Sequence, residues 1–178
     1  MLKENGIDPV VIPPDVDESV PEGTVPHIAV MYLALKKALY VLDIAKDRGY
    51  TEKDILIGAD TIVFYRNSII GKPENSDETY RILKKLGGKR HQVLTGVAIL
   101  TFPCGPKRVF YETSDVLFKT YSDEEIIKYA KTDEPYDKAG GYAVQGTWGK
   151  HIARITGDID NVIGFPWTRI QKELIDLV

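Results

Sequence analysis

The sequence has one cysteine, no excess of positive charge and no long apolar run. One cysteine among 178 residues cannot form an internal disulfide, which excludes a disulfide-stapled scaffold and favours a reducing, cytoplasmic compartment. The 23 Lys and Arg residues against 26 Asp and Glu residues give a net charge of −3, which provides no basic field for nucleic acid or acidic lipid. No apolar run approaches the length of about 18 residues that a membrane span needs.

Several enzyme signatures are also absent. The histidines, His27, His91 and His151, are too widely spaced for an HExxH zinc helix or a compact cluster. There is no Gly-x-Ser-x-Gly elbow, and the glycines near position 140 follow neither a dinucleotide-binding nor a Walker A pattern. Cys104 lies in a Pro/Gly-rich turn. Covalent serine or cysteine catalysis is therefore not expected.

What is present is an ordinary globular composition, with 43% hydrophobic and 28% charged residues. The length and the absence of repeats or linkers predict a single domain over 1–178. The order of strand and helix patterns along the chain predicts an α/β or α+β fold built on one mixed sheet flanked by helices.

Hydrophobic periodicity and turn residues give the expected elements. Strands are predicted at 10–12, 55–59, 93–102, 108–121 and 151–155, with a Pro/Gly turn at 103–106. Helices are predicted at 26–48, 77–86, 122–131 and from 166 onward. The first helix should bury Ile28, Met31, Leu35, Leu39 and Leu42, Ser76 should cap the second, a 122–125 capping box should start the third, and the last should align Ile170, Leu174 and Val178.

Asp60 is the most informative single residue, because it follows a buried apolar strand at the place where open α/β sheets hold their ligands. Its carboxylate can bind a divalent metal or take a proton from water, or it can simply cap a turn. Asp15, Asp17 and Glu18 form a second acidic group after the first strand. Two carboxylate sources suit a Mg²⁺ site, although a solvated acidic loop accounts for the second group equally well.

Two lysines and one loop complete the candidate residues. Lys72 lies in a tight Gly-Lys-Pro turn and Lys37 lies near the apolar face of the first helix, and either ammonium suits a phosphate or is simply solvated. The glycine-rich segment 134–146 contains Gln145, whose amide can hydrogen-bond to a base edge. That segment is either a loop that closes on a ligand or an ordinary surface loop.

Taken together, seven segments resemble the Maf family of nucleoside triphosphate pyrophosphatases, in family order and over nearly the whole chain. They are DVDES at 15–19, LAxxKA at 33–38, GADTIV at 58–63, GKP at 71–73, HQVLTGV at 91–97, EPxDKAGxYxxQG at 134–146 and IxGxxxNVxGxP at 155–166. The resemblance implies an inosine triphosphatase-like fold with an elongated mixed sheet and a central nucleotide cleft. It also implies a homodimer.

The resemblance implies hydrolysis between the α and β phosphates with a divalent cation, Mg²⁺ or Mn²⁺. Asp60 would accept the proton of the attacking water, and Glu18 would help Asp60 to hold the metal. Lys37 and Lys72 would carry phosphate charge. Thr61 and Gln145 stand where the dTTP/UTP-directed branch selects the base, so dTTP, UTP and modified pyrimidine nucleotides are the expected substrates.

One departure from the family pattern concerns the start of the chain. Family members usually begin with a strand and a Ser-x-Ser-x-Arg-Arg loop that binds the triphosphate, and the segment 1–7 resembles the helix after that loop. An open sheet edge and exposed apolar surface are expected in consequence. Two alternatives to the enzyme stay open: a nucleotide-binding regulatory protein with weak or no turnover, and an unrelated α/β binding domain.

Overall fold

The computed structural model describes residues 1–21, 23–45, 48–51, 53–102 and 107–175. Five strands form one sheet: β1 (Ile55–Tyr65), β2 (Ser68–Ile70), β3 (Arg90–Thr101), β4 (Lys107–Phe118) and β5 (Ile152–Thr156). Five α-helices flank it: α1 (Pro26–Ile44), α2 (Ser76–Leu86), α3 (Asp123–Tyr129), α4 (Ile159–Ile163) and α5 (Trp167–Ile175). Short 3₁₀ segments lie at Lys3–Asn5, Ala139–Gly141 and Thr147–His151. The predicted α/β architecture on one sheet is confirmed.

The strands are arranged in the order β2-β1-β3-β4-β5, and each pairing among the described residues is antiparallel rather than mixed. A tight turn at Arg66 and Asn67, both with positive φ, joins β1 to β2 as a hairpin. The strands β3 and β4 are also consecutive in the chain and lie side by side in the sheet. Neighbouring strands with short connections run antiparallel, because a parallel pair needs a long crossover.

β1 does not end where the sequence pattern predicts. Its predicted apolar core, 55–59, continues without a break through Asp60 to Tyr65. The residues after Asp60 are β-branched or aromatic, and ten consecutive residues of β1, Ile55 to Phe64, pair with β3. Asp60 therefore lies in the middle of β1, opposite Gly96 of β3, and not at a strand end.

The outer side of β1 is largely unpaired among the described residues. β2 pairs only with Val63 to Tyr65, and no strand in the described part of the chain pairs with that side of β1 between Ile55 and Ile62. The strand predicted at 10–12 does not form, and Val10 and Val11 are 72% and 79% exposed. A mostly apolar cavity of about 730 Å³ lies between this segment, β1 and α1.

α1 packs against the sheet through small residues, and the predicted buried face is only partly right, since Leu42 is buried, Met31 and Leu35 are partly buried, and Ile28 and Leu39 are not buried. Ala34 and Ala38 are fully buried, whereas Ile28 and Leu39 are 48% and 40% exposed. A side chain at Gly58 would place its Cβ 2.6 Å from the Ala34 carbonyl oxygen. Because no side chain separates the backbones, small residues are needed where α1 crosses Gly58, and the larger buried residues Leu33 and Leu42 lie to either side of that crossing.

A second glycine brings α1 equally close to β3. A Cβ on Gly96 would collide with the backbone of Val30 and Met31, which leaves no space for any side chain. Gly96 is also the residue that pairs with Asp60. The helix therefore lies directly over the middle of β1 and β3.

Helix caps follow the sequence in part. Ser122 and Glu125 form the predicted capping box of α3. In α2 the N-cap is Asn75, whose side chain accepts from the Glu78 amide, and not Ser76, because the helix already begins at Ser76. α4 was not predicted, since its five residues are too short for a periodic pattern.

Some sequence predictions fall outside the described residues. These are the turn at 103–106 with Cys104, the end of the first predicted helix at 46–47, and Val178 on the last helix. α5 itself begins after Pro166 as predicted, and Ile170 is fully buried. Within the described ranges, no helix is both long and apolar enough to cross a membrane.

We expect Gly96→Ala to destabilise the protein by about 3 kcal/mol, because the added Cβ would meet the α1 backbone, which cannot rotate away as a side chain would. Urea denaturation followed by circular dichroism measures this free energy. Gly71→Ala is the control, since a Cβ there meets nothing within 4 Å. Equal stability of the two variants would show that α1 is not held tightly against the sheet.

Candidate active site

Four of the predicted side chains come together beside the open edge of β1. Lys37 Nζ lies 2.6 Å from Asp60 Oδ1 and 2.7 Å from Glu18 Oε1. Lys72 Nζ lies 3.6 Å from Glu18 Oε2. Two carboxylates and two ammonium groups therefore form one connected cluster, which we call the Lys37 cluster.

Each member of the Lys37 cluster comes from a different part of the fold. Asp60 projects from the middle of β1 toward α1, and Lys37 lies one residue before Ala38, which packs on Gly58. Glu18 comes from the extended segment before α1, and Lys72 from the turn after β2. The close approach of α1 to the sheet thus places the Lys37 ammonium on the Asp60 carboxylate.

Burial and charge set the protonation behaviour of the cluster. Desolvation raises the pKa of Asp60 above its ordinary value, although Lys37 opposes this effect. Burial would also raise the pKa of Glu18, but its hydrogen bond and charge attraction to Lys37, together with Lys72, lower that pKa. Burial would lower the pKa of Lys37, but Asp60 and Glu18 raise it. Lys37 is therefore charged at neutral pH, and Asp60 is a stronger base than an ordinary aspartate, whereas Glu18 is a weaker base than an ordinary glutamate.

Of the acidic group after the first predicted strand, only Glu18 reaches the cluster. Asp17 accepts hydrogen bonds from the Ser19 amide and hydroxyl at 2.9 and 2.6 Å. Lys36 donates to the Asp17 carbonyl oxygen at 2.6 Å, which ties this segment to α1. Asp15 is exposed. Asp17 thus stabilises the loop that presents Glu18.

The cluster contains two carboxylates suited to a cation. Among the described residues there is no group of three or more His, Cys, Asp and Glu side chains arranged to hold a metal ion by themselves. Glu18 and Asp60 nevertheless direct oxygens at one shared position, now taken by the Lys37 ammonium. Mg²⁺ in proteins is commonly held by one or two carboxylates, with water and phosphate oxygens as the other ligands.

Thr61 lies on the other face of the sheet, because successive strand residues point to opposite sides. Its hydroxyl is 2.9 Å from the hydroxyl of Thr95, its partner on β3. Gly164, at the end of α4, lies beside it, and a Cβ there would be 3.1 Å from Thr61 Oγ1. A single ligand that touches both Asp60 and Thr61 therefore has to pass around an unpaired edge of β1.

Gln145 is exposed on a loop, and the hydrogen bonds and ion pairs of the described residues do not join it to the Lys37 cluster. Its loop is fixed on both sides. Tyr142 OH lies 2.7 Å from His91 Nε2 in the core, and Glu134 accepts from the amide and hydroxyl of Thr147 at 3.1 and 2.9 Å. Burial lowers the pKa of His91 to about 4, so the Tyr142 contact involves a neutral imidazole at pH 7.

The same loop is connected to the turn that carries Lys72. The Gly140 amide donates to the Gly71 carbonyl oxygen at 2.9 Å, and Gly141 lies against Pro73. Gly140 and Gly141 both have positive φ, which favours glycine at these positions. The glycine-rich loop therefore packs against the Lys72 turn, on the β1 face that carries Val63.

Sequence reasoning missed five polar residues that support the site. Four are buried, namely His91, Thr95, Tyr142 and Asn161, and Glu134 is partly buried; all five form hydrogen bonds within the fold near the candidate residues. Local patterns gave no reason to single them out. The one available signal was that all five lie inside the motif segments at 91–97, 134–146 and 155–166.

Comparison with known proteins gives one consistent family. The family described as Maf-like protein matches residues 1–177. A dTTP/UTP pyrophosphatase of Caldicellulosiruptor bescii is 44% identical over 171 residues, which is 96% of this chain and 85% of the relative. One of Caldicellulosiruptor saccharolyticus is 42% identical over 183 residues, covering all of this chain and 90% of the relative. One of Bacillus cereus is 41% identical over 165 residues, covering 92% and 82%.

We expect Lys37→Met to raise the pKa of Asp60 further, because the buried carboxylate would lose its hydrogen-bonded cation. Carbon-13 NMR titration of the Asp60 carboxyl measures the shift. Lys36→Met is the matched control, since Lys36 is the neighbouring residue on α1 and donates to the Asp17 backbone instead. An Asp60 pKa that is unchanged in Lys37→Met would contradict the pairing.

Proposed function

The chain belongs to the Maf family, and we propose that it is a nucleoside triphosphate pyrophosphatase that hydrolyses dTTP and UTP to the monophosphate and pyrophosphate. The observation that carries this proposal is the Lys37 cluster, which joins a buried carboxylate to phosphate-binding charges. Relatives named dTTP/UTP pyrophosphatase, about 40% identical over nearly the whole chain, support the choice of substrate. Nothing observed favours the regulatory alternative.

In the proposed reaction Asp60 is the proton acceptor. Lys37 binds Asp60 Oδ1, and none of the described hydrogen bonds involves Oδ2, which leaves that oxygen to take a proton from water. The water oxygen then bonds to phosphorus as the bond between the α and β phosphates breaks, and pyrophosphate leaves. The raised pKa of Asp60 makes its carboxylate a stronger base than an ordinary aspartate.

The two lysines would neutralise part of the negative charge of the triphosphate, and the two carboxylates would act through a bound cation. Lys72 is half-exposed at the mouth of the cluster and suits the phosphate oxygens, and Lys37 lies deeper, beside the reacting carboxylate. We propose that Glu18 and Asp60 hold a divalent cation, Mg²⁺ or Mn²⁺, together with the substrate phosphates. When bound, that cation would neutralise charge that develops on the phosphates.

Thr61 and Gln145 are the proposed base-selecting residues. A uracil or thymine ring offers two carbonyl acceptors and one N–H, which an amide and a hydroxyl can complement. Because Thr61 faces away from Asp60, we propose that the nucleotide lies across the open edge of β1, with its phosphates at the Lys37 cluster and its base on the Thr61 side. Modified pyrimidine nucleotides with the same ring edge are candidate substrates too.

We also propose a homodimer in the cytoplasm. The dimer follows from the family likeness, and light scattering coupled to size-exclusion chromatography tests it. The location follows from the single cysteine, which favours a reducing compartment.

We expect pyrophosphate release from dTTP and UTP with Mg²⁺ or Mn²⁺, and little from ATP, GTP or CTP. Asp60→Asn should lower kcat by about 100- to 10,000-fold, because the general base is lost. Asp115→Asn is the control, since Asp115 is a strand aspartate that pairs with Arg90 outside the cluster. Nucleotide binding without turnover in the wild type would instead support the regulatory reading.

The pH dependence of kcat/KM provides an independent test. Asp60 must be deprotonated to accept a proton, so activity falls as pH falls through its pKa, and the raised pKa places this acid limb above the 3.8 of an ordinary aspartate. The pKa of Glu18 is lowered instead, so Glu18→Gln, measured in parallel, separates its contribution to the limb from that of Asp60. Lys37→Met should move the limb to higher pH, and a limb at or below pH 3.8 would contradict Asp60 as the base.

A further inference from the structure

Three hydrogen-bonding groups form a line from the open edge of β1 into the protein. The Thr61 hydroxyl is 2.9 Å from the Thr95 hydroxyl, and Thr95 Oγ1 is 2.9 Å from the backbone carbonyl oxygen of Asn161. Thr95 and Asn161 are both 0% exposed, whereas Thr61 is partly exposed. The line therefore has one end open to a ligand and one end sealed in the core.

The direction of each hydrogen bond follows from counting protons. A carbonyl oxygen only accepts, so Thr95 donates its single hydroxyl proton to Asn161. Thr95 then has no proton left for Thr61, and the bond between the two hydroxyls must be donated by Thr61. The Thr61 hydroxyl proton therefore points to Thr95 and is not available to a ligand.

The far end of the line is itself fixed. Asn161 Nδ2 donates to the Val93 carbonyl oxygen at 3.0 Å and to Ser114 Oγ at 2.9 Å, and Ser114 donates onward to the Asp158 carbonyl oxygen. These bonds attach α4 to the sheet and leave the Asn161 carbonyl in place. Because each donor is buried and has its acceptor, Thr95 has no alternative orientation of similar energy.

We propose that Thr95 is a specificity-determining residue, because it fixes the Thr61 hydroxyl as a hydrogen-bond acceptor toward the nucleobase. This inference rests on the proposed function, in which the base lies on the Thr61 side of β1. The oxygen of Thr61 offers only lone pairs there, and Gly164 has no side chain to cover it. Thr95 acts through Thr61 and does not touch the substrate.

An acceptor at this position selects among pyrimidines by the state of ring atom N3. Uracil and thymine carry a proton on N3 and can donate it to Thr61, whereas cytosine has a lone pair on N3 and would face the Thr61 lone pair. Two acceptors in contact repel, and a buried polar group without a partner is costly. The fixed polarity of Thr61 thus favours UTP and dTTP over CTP.

The test compares kcat/KM for UTP and CTP in four proteins. Thr95→Val keeps the shape of the side chain but removes the acceptor for Thr61, whose proton is then free to bind cytosine N3. We expect the UTP-to-CTP ratio to fall by about tenfold or more. Thr95→Ser keeps the hydroxyl and should restore the ratio. The matched control is Thr79→Val in α2, since Thr79 is also fully buried and donates to a backbone carbonyl, that of Asn75.

The outcomes separate this inference from the proposed function. A UTP-specific wild type with an unchanged ratio in Thr95→Val overturns the role of Thr95 and leaves the enzyme assignment intact. Equal loss of the ratio in Thr79→Val overturns it as well, since that result reflects stability alone. If the wild type turns over no nucleotide, the proposed function fails. The same ratio, measured as dissociation constants for UTP and CTP by calorimetry, then decides the role of Thr95.

Discussion

The close contact between α1 and the sheet is the constraint on which the candidate site depends. Gly58 and Gly96 lack side chains where the helix backbone passes: Ala34 and Ala38 lie against Gly58, and the backbone of Val30 and Met31 lies against Gly96. Only at this separation does the Lys37 ammonium reach the Asp60 carboxylate at 2.6 Å. Packing and electrostatics are therefore coupled, because the same glycines that bring the backbones together also bury the charges and shift their pKa values.

The open edge of β1 is the second feature on which the proposed nucleotide-binding mode depends. A strand paired on both sides would keep Asp60 and Thr61 on separate faces of the sheet, out of reach of one ligand. β2 covers only the end of β1, so the middle of the strand has one free side in the described part of the chain. A free strand edge is ordinarily a risk for aggregation. In the proposed binding mode it is also the place where a nucleotide contacts both faces.

The sequence allowed the fold class, most elements and the Lys37 cluster to be predicted, and the reasons for the failures are physical. Apolar runs and caps identify strands and helices, but they do not show that β1 continues through a polar residue, since cross-strand pairing decides where it ends. The buried face of α1 was predicted in part: Leu42 is buried, but Ile28 and Leu39 are exposed, because the glycines opposite the helix require the small residues Ala34 and Ala38 at the closest contact. The strand at 10–12 failed because it has no pairing partner.

The candidate site shows the same limit in its hydrogen bonds. Charged residues such as Asp60 and Lys37 stand out in a sequence, because a charge in an apolar context is costly unless it is paired or used. Thr95 and Asn161 are neutral and common in globular proteins, so nothing in the local pattern distinguishes them. The proposed effect arises only in the fold, where two hydroxyl protons are distributed over three aligned oxygens. The polarity that we propose Thr61 shows to a base is therefore a property of the folded arrangement and not of any single residue.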